Sequence, residues 1–184
     1  MDSAPDFDDV VRRTRLAYEW GRAKRAIFGA VPALILMGGA AVLGDTPRWA
    51  LAFGGALFLV SCAMLWYGRD PQRAVLPGLV AGILPLVLVL ASRHLGHFCT
   101  GASCTTLCIQ ACTIGGMLAG FGVASAGNAS RAGLGFWVAA SAIAILTGAM
   151  ACSCLGIAGI VGLSVGFGVG AVPALLGRAF VKAP

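Results

Sequence analysis

The chain has 184 residues, 59% of them hydrophobic and only 11% charged, with a net charge of +6. Soluble domains carry about 25% charged residues, so a water-soluble globule that turns its positive charge toward nucleic acid is excluded. The mean hydropathy of +0.90 points to one compact all-α integral membrane domain, because runs of about 20 apolar residues cross a hydrocarbon core about 30 Å thick.

Residues 1–26 intersperse acids and bases ahead of the first apolar run, where a secretory signal would have a short basic start and a small-residue cleavage site. They read as a short charged, amphipathic cytoplasmic helix leading into the first span. Ser3 is placed to cap it, with Pro5 and Asp6 in the first turn. Asp8 with Arg12 and Asp9 with Arg13 are acid-first pairs four apart, the favoured order. Phe7, Val11, Thr14 and Tyr18 fall near one face. Such a helix either lies at the interface with its bases on anionic lipid or docks a cytoplasmic partner. Phe7, Val11, Arg12, Arg13, Tyr18 and Trp20 are the partner-binding candidates.

Residues 27–177 hold six apolar segments: Ile27–Leu43, Trp49–Tyr67, Val75–Ser92, Thr105–Ser125, Gly133–Met150 and Leu155–Leu176. Residues 178–184 form a short tail. Pro32, Pro77, Pro85 and Pro173 fall inside spans, where neighbouring groups can satisfy the carbonyls that proline frees. Lys and Arg mark the cytoplasmic loops. With the N-terminus inside, eleven bases lie inside and only Arg48 and Arg93 lie outside. That split predicts six spans with both termini in the cytoplasm of a bacterial inner membrane.

Of the 27 glycines, several repeat every fourth residue. Gly162, Gly166 and Gly170 do so in the sixth span, Gly78 and Gly82 in the third, and Gly116 and Gly120 in the fourth. This small-xxx-small spacing lets helix backbones approach closely. It predicts a tightly packed bundle, or self-association into a homo-oligomer. A glycine-lined substrate pathway is the lesser reading.

The chemistry-bearing residues gather in "HLGHFCTGASCTTLCIQAC" at 94–112 and "ACSC" at 151–154. On the predicted topology His94, His97, Cys99, Cys104, Cys108, Cys112, Cys152 and Cys154 all collect at the outer, periplasmic face, and only Cys62 lies apart. Three readings compete. Thiols facing an oxidising compartment pair as disulfides, and bridges between the fifth and third loops would clamp the later spans together. Thiolate with imidazole also suits a soft ion, Zn²⁺, Cu(I) or Hg²⁺, although the C-x4-C-x3-C-x3-C spacing lacks the CxxC of a structural zinc site. Finally, reduced Cys packs as a small hydrophobe, which suits Cys62 and Cys112.

All seven acids lie outside the spans, so the intramembrane carboxylates that mark ion-coupled transport are missing. No Ser/His/Asp grouping and no phosphate-binding glycine loop is present, so the chain does not read as an enzyme. A quinone-linked thiol oxidoreductase would need a reactive CxxC-like pair, which only Cys152 and Cys154 approach.

The short charged tail, six spans, outward cysteines and a closing Gly-rich span ending "ALLGR" at 174–178 resemble the six-span membrane anti-sigma factors of bacteria. That resemblance implies a tail and inner loops that hold an extracytoplasmic-function sigma factor, and outward cysteines, here Cys104 and Cys152, that help sense stress. "CSCLGIAGIVGLSVG" at 152–166 is similar to the mercuric-ion transport membrane proteins, which implies a soft-metal carrier. The leading expectation is therefore a regulator without a resident cofactor, whose partners are the bilayer and a cytoplasmic protein rather than nucleic acid. The alternative is a membrane transporter or binding protein for mercury, copper or zinc.

Overall fold

The computed structural model describes residues 7–43, 47–68, 70–95 and 102–181. The described chain is all-helical, with no strand among the described residues. Six α-helices follow in order: α1 Phe7–Leu43, α2 Pro47–Tyr67, α3 Asp70–Leu95, α4 Ala102–Ala129, α5 Leu134–Cys152 and α6 Ile157–Val181. One 3₁₀ turn, Ser153–Leu155, joins α5 to α6. Five helices are long and apolar enough to cross a membrane, and α6 has a shorter apolar stretch, Ile157–Pro173. This is the composition of a membrane protein.

Each of the six expected spans corresponds to one helix; α1 to α4 overrun theirs, while the fifth and sixth spans begin just ahead of α5 and α6, at Gly133 and at Leu155 in the 3₁₀ turn. The tail and first span form one unbroken helix of 37 residues, about 55 Å long at 1.5 Å per residue. A hydrocarbon core about 30 Å thick leaves several turns of α1 projecting. Ser3, Pro5 and Asp6 lie outside the described residues. The expected prolines are all inside helices: Pro32 in α1, Pro77 and Pro85 in α3, Pro173 in α6.

Glycine positions fix how the helices meet. A Cβ on Gly116 would fall on the Leu163 carbonyl, and one on Gly120 on the Phe167 carbonyl. From the other side, Gly166 meets the Thr113 carbonyl and Gly170 the Met117 carbonyl. Residue numbers rise together on both helices, so α4 and α6 run parallel with backbones touching through reciprocal glycine pairs. The same geometry recurs between α3 and α5. A Cβ on Gly78 would lie 2.9 Å from the Ala140 carbonyl oxygen, and one on Gly82 would lie 2.8 Å from that of Ala144. Without a hydrophobic driving force in lipid, such close van der Waals approach is the main source of helix affinity. The stripes of α3, α4 and α6 are thus all used inside this chain.

Pro85 ties the two pairs together. It is fully buried, and Cβ atoms on Gly115 of α4 and Gly148 of α5 would lie 2.6 Å and 2.9 Å from its atoms. Helix α5 is the centre: 11 of its 19 residues are buried, including Phe136, Ile143 and Thr147. The Thr147 hydroxyl donates to the Ile143 carbonyl at 2.8 Å, so its polar group is satisfied within the helix. Helices α1 and α2 form an antiparallel hairpin against this core, with Leu65 at Gly29 and Met37 at Gly54.

Candidate functional site

The topology carries the end of α3, the start of α4, the end of α5 and the start of α6 to one end of the bundle. His94, Cys104, Cys108, Cys112, Cys152 and Cys154 lie on those segments. His97 and Cys99 lie outside the described residues, and the side chains of His94, Cys104 and Cys154 are likewise not described. Among the described residues no group of three or more His, Cys, Asp or Glu side chains is placed to hold a metal ion.

The structure does bring together Cys112 and Cys152. Their side chains face each other across the α4–α5 contact, near enough to interact, and each is fully buried. The two belong to one apolar cluster with Leu163, Met150 and Val89. Cys108, one turn earlier on α4, is buried as well. The i, i+4 spacing that placed Cys108 and Cys112 on one face thus corresponds to an inward face of α4. The reading of Cys112 as small packing is met as far as burial goes, but its neighbour is a second thiol.

Cys152 departs from the expectation that it sits in an outer loop. It is the last residue of α5, and the loop proper is only the 3₁₀ turn and Gly156. Two glycines make so tight a return possible. Gly156 adopts φ 65° and ψ −147°, a region open essentially to glycine. Gly159 lies so close to the Cys152 carbonyl that a Cβ would overlap it. The turn therefore presses the start of α6 against the end of α5 and holds Cys152 inside. Cys62 stands apart, as expected, half-buried in α2 with its Sγ 4.0 Å from the Ala26 carbonyl oxygen.

At the opposite end, among the described residues, the projecting part of α1 has no helix packed on it. Val11, Arg12, Arg13, Tyr18 and Trp20 are all exposed, Tyr18 to 69% and Trp20 to 65%; the side chain of Phe7 is not described. Arg15 pairs with Glu19 at 3.2 Å, and the Lys24 ammonium sits 5.5 Å from the Trp20 ring centroid. An amphipathic tail with its apolar side chains this open is a surface for lipid or protein.

The sequence reads Arg22 and Arg25 as topology signals and as bases of an interfacial helix, and leaves Gln72 in a loop. In the structure they line a cleft of about 390 Å³ between α1, the end of α2 and the start of α3, with Tyr18 and Gly68. The available signal was the pair of arginines three apart beside an interfacial "WYG", at 66–68.

No protein-family model, no curated protein and no solved structure matches this chain.

Proposed function

We propose that the chain is an inner-membrane regulatory protein of six spans with both termini in the cytoplasm. Its periplasmic thiols sense an oxidant or a thiophilic ion, and its N-terminal helix restrains a cytoplasmic partner, of which an extracytoplasmic-function sigma factor is the leading candidate. One observation supports this above others: a buried Cys112–Cys152 pair bridges two packed helices at one end, while the opposite end projects an unpacked charged helix.

The chemistry of the pair is simple. With a hydroperoxide, two thiols yield one disulfide, an alcohol and water, the peroxide O–O bond taking up the two electrons and two protons. With Cu(I) or Hg²⁺, the two thiols bind as thiolates in a two-coordinate site and release two protons. Either event fixes α4 against α5. Helix α5 packs on α2, and α2 on α1, so a shift at the thiol pair has a packed route to the projecting helix. The absence of intramembrane carboxylates speaks for signalling rather than ion-coupled transport.

Co-purification of a cytoplasmic partner with the full chain, lost on deleting residues 1–25, is the expected result. Cys112→Ser and Cys152→Ser should each abolish the response to oxidant or metal, and the double variant should add nothing further. Partner binding and regulation unchanged by the tail deletion would overturn the reading. The soft-metal carrier remains the second reading, because two buried thiols are also a transfer site for a soft ion. It predicts cellular metal accumulation that depends on Cys112 and Cys152 and ignores the tail.

A further inference from the structure

The sequence allows the N-terminal helix either lipid or a protein as its contact, and the fold of α1 separates the two. The helix runs without a break from Phe7 to Leu43, and its one proline, Pro32, is inside the span. The turn between α2 and α3 reaches α1 at Arg22, where a Cβ on Gly68 would lie 3.6 Å from Nη2. Everything ahead of that level points away from the bundle. Val10 stands about 17 Å beyond Gly21 along the axis at 1.5 Å per residue, further than a Debye length of about 8 Å at physiological salt. A straight helix that continues its own span cannot lay this stretch on the bilayer.

Its exposed side chains are sorted by face. Val10, Val11, Thr14, Ala17, Tyr18 and Gly21 are all exposed, and they share one side at the i, i+3, i+4, i+7 spacing by which helices recognise helices. Together they cover about a third of the circumference. No charge interrupts them, and the Thr14 hydroxyl bonds back to the Val10 and Val11 carbonyls at 2.9 Å. Bases border this stripe on both sides, Arg15 and Arg22 on one and Arg13 and Lys24 on the other, while Asp8 and Glu19 lie further round. The remaining exposed apolar residues, Leu16 and Trp20, lie on the opposite side and are interrupted by Arg12 and Arg13.

The stripe runs down into the cleft of about 390 Å³ at the foot of the projection. Ala17, Tyr18 and Gly21 belong to both, and a Cβ on Gly21 would meet nothing within 4 Å, so the passage between them is open. Arg22, Gly68 and Gln72 line the cleft beyond. The Arg22 guanidinium carbon is held 5.7 Å from the Trp66 ring centroid. It meets no carboxylate among the described residues, since Glu19 pairs with Arg15 and the Asp70 carboxylate lies against Gly133. A guanidinium so placed suits an incoming carboxylate, which it can hold through two parallel hydrogen bonds. We infer that the stripe and cleft are the seat of one amphipathic helix of a cytoplasmic protein, its apolar face on Val11 and Tyr18, acids beside the bordering bases and a carboxylate at its end on Arg22. The inference rests on the regulatory reading, in which the tail holds a cytoplasmic partner, and adds what that partner must present.

The test uses the full chain in phosphatidylcholine nanodiscs and a fluorescent synthetic peptide of about three heptads, with leucine at a and d and glutamate at e and g. Binding is followed by anisotropy, against a matched peptide with lysine at e and g. The glutamate peptide should bind, and the lysine peptide should bind at least about tenfold more weakly. Val11→Asp with Tyr18→Asp should weaken the glutamate peptide roughly tenfold or more. Arg22→Gln should weaken it about tenfold, and Arg22→Lys should recover part of the loss. Leu16→Asp, on the opposite side of the same helix, should bind like the wild type. Equal binding of the two peptides, or equal loss in Leu16→Asp, would overturn the seat. Hydrogen exchange of residues 10–18 separates protein from lipid. Protection on adding the glutamate peptide is expected; protection by phosphatidylglycerol nanodiscs without peptide would assign the stripe to lipid and overturn the inference. If deleting residues 1–25 releases the cellular partner but Val11→Asp with Tyr18→Asp does not, the seat fails and the regulatory reading stands. Peptide bound at the seat, with regulation unchanged by the deletion, is the reverse case.

Discussion

The α3–α6 core and the α1–α2 hairpin are made from the same apolar residue types yet are held together differently. Half or more of the apolar windows of α3 and α5 are buried, against 22% in each of α1 and α2. In the core, backbone meets backbone through glycine: Gly116, Gly120, Gly166 and Gly170 between α4 and α6, Gly78 and Gly82 between α3 and α5. In the hairpin, a flexible side chain fills each glycine notch, Leu65 at Gly29 and Met37 at Gly54. Lipid tails solvate leucine as well as another helix does, so association in a membrane depends on how closely backbones approach. The core is therefore the rigid body, and the hairpin, which carries the projecting helix, is the element more easily displaced.

The sharpest way to break this comparison is to fill the notches. Gly166→Leu or Gly120→Leu puts a side chain where a backbone carbonyl already lies, and nothing there can rotate aside. Either should destabilise the protein by at least about 3 kcal/mol, measured by unfolding in mixed micelles of increasing denaturing detergent. Gly168→Leu is the control on the same helix, because a Cβ there meets nothing within 4 Å, and it should be near neutral. Equal damage from Gly168→Leu would remove the α4–α6 contact as the cause.

A smaller effect is expected in the hairpin. Gly54→Ala clashes with the Met37 side chain, and methionine has three torsions with which to yield. The cost should be about 1 kcal/mol, smaller than that of Gly166→Ala in the same assay. The reverse order would mean that the hairpin, not the glycine core, is the stiffer unit.

These contrasts also mark what the sequence made legible. Hydropathy and proline tolerance located every helix, since span length follows from bilayer thickness rather than from tertiary detail. The boundaries were less legible. Helix α3 begins at Asp70 rather than Val75, because its first turn is polar and packs against the start of α5 through Pro71 and Asp70. The stripe at Gly162, Gly166 and Gly170 was readable as a close contact, but not that α4 is its partner. That choice rests on Gly116 and Gly120 of α4 meeting the Leu163 and Phe167 carbonyls of α6, a match between distant segments with no local signature. The cysteines divide in the same way. Charge bias put Cys112 and Cys152 toward the same face, whereas their pairing depends on the tight turn at Gly156 and Gly159, which keeps Cys152 inside the bundle.

The finest comparison is between two left-handed turns, one in each region. Gly68 closes α2 at φ 67°, its N–H bonded to the Met64 carbonyl at 3.2 Å. Arg131 closes α4 at φ 48°, in a Schellman arrangement: the Ala132 N–H reaches the Gly127 carbonyl at 3.0 Å and the Arg131 N–H that of Asn128 at 3.2 Å. The geometry favours glycine at this position, and a side chain in the left-handed region costs roughly 1–2 kcal/mol. The core therefore carries strain at its turn that the hairpin does not. Arg131→Gly should raise stability by about 0.5 kcal/mol, the relief being partly offset by the greater freedom of glycine in the unfolded chain, while Gly68→Ala should lower it by about 1 kcal/mol. Arg131 is only one of eleven bases assigned to the inner side, so losing it should leave the orientation unchanged in a reporter-fusion assay. A stabilised but inverted Arg131→Gly protein would show that this turn is kept as arginine for topology, at the expense of backbone strain.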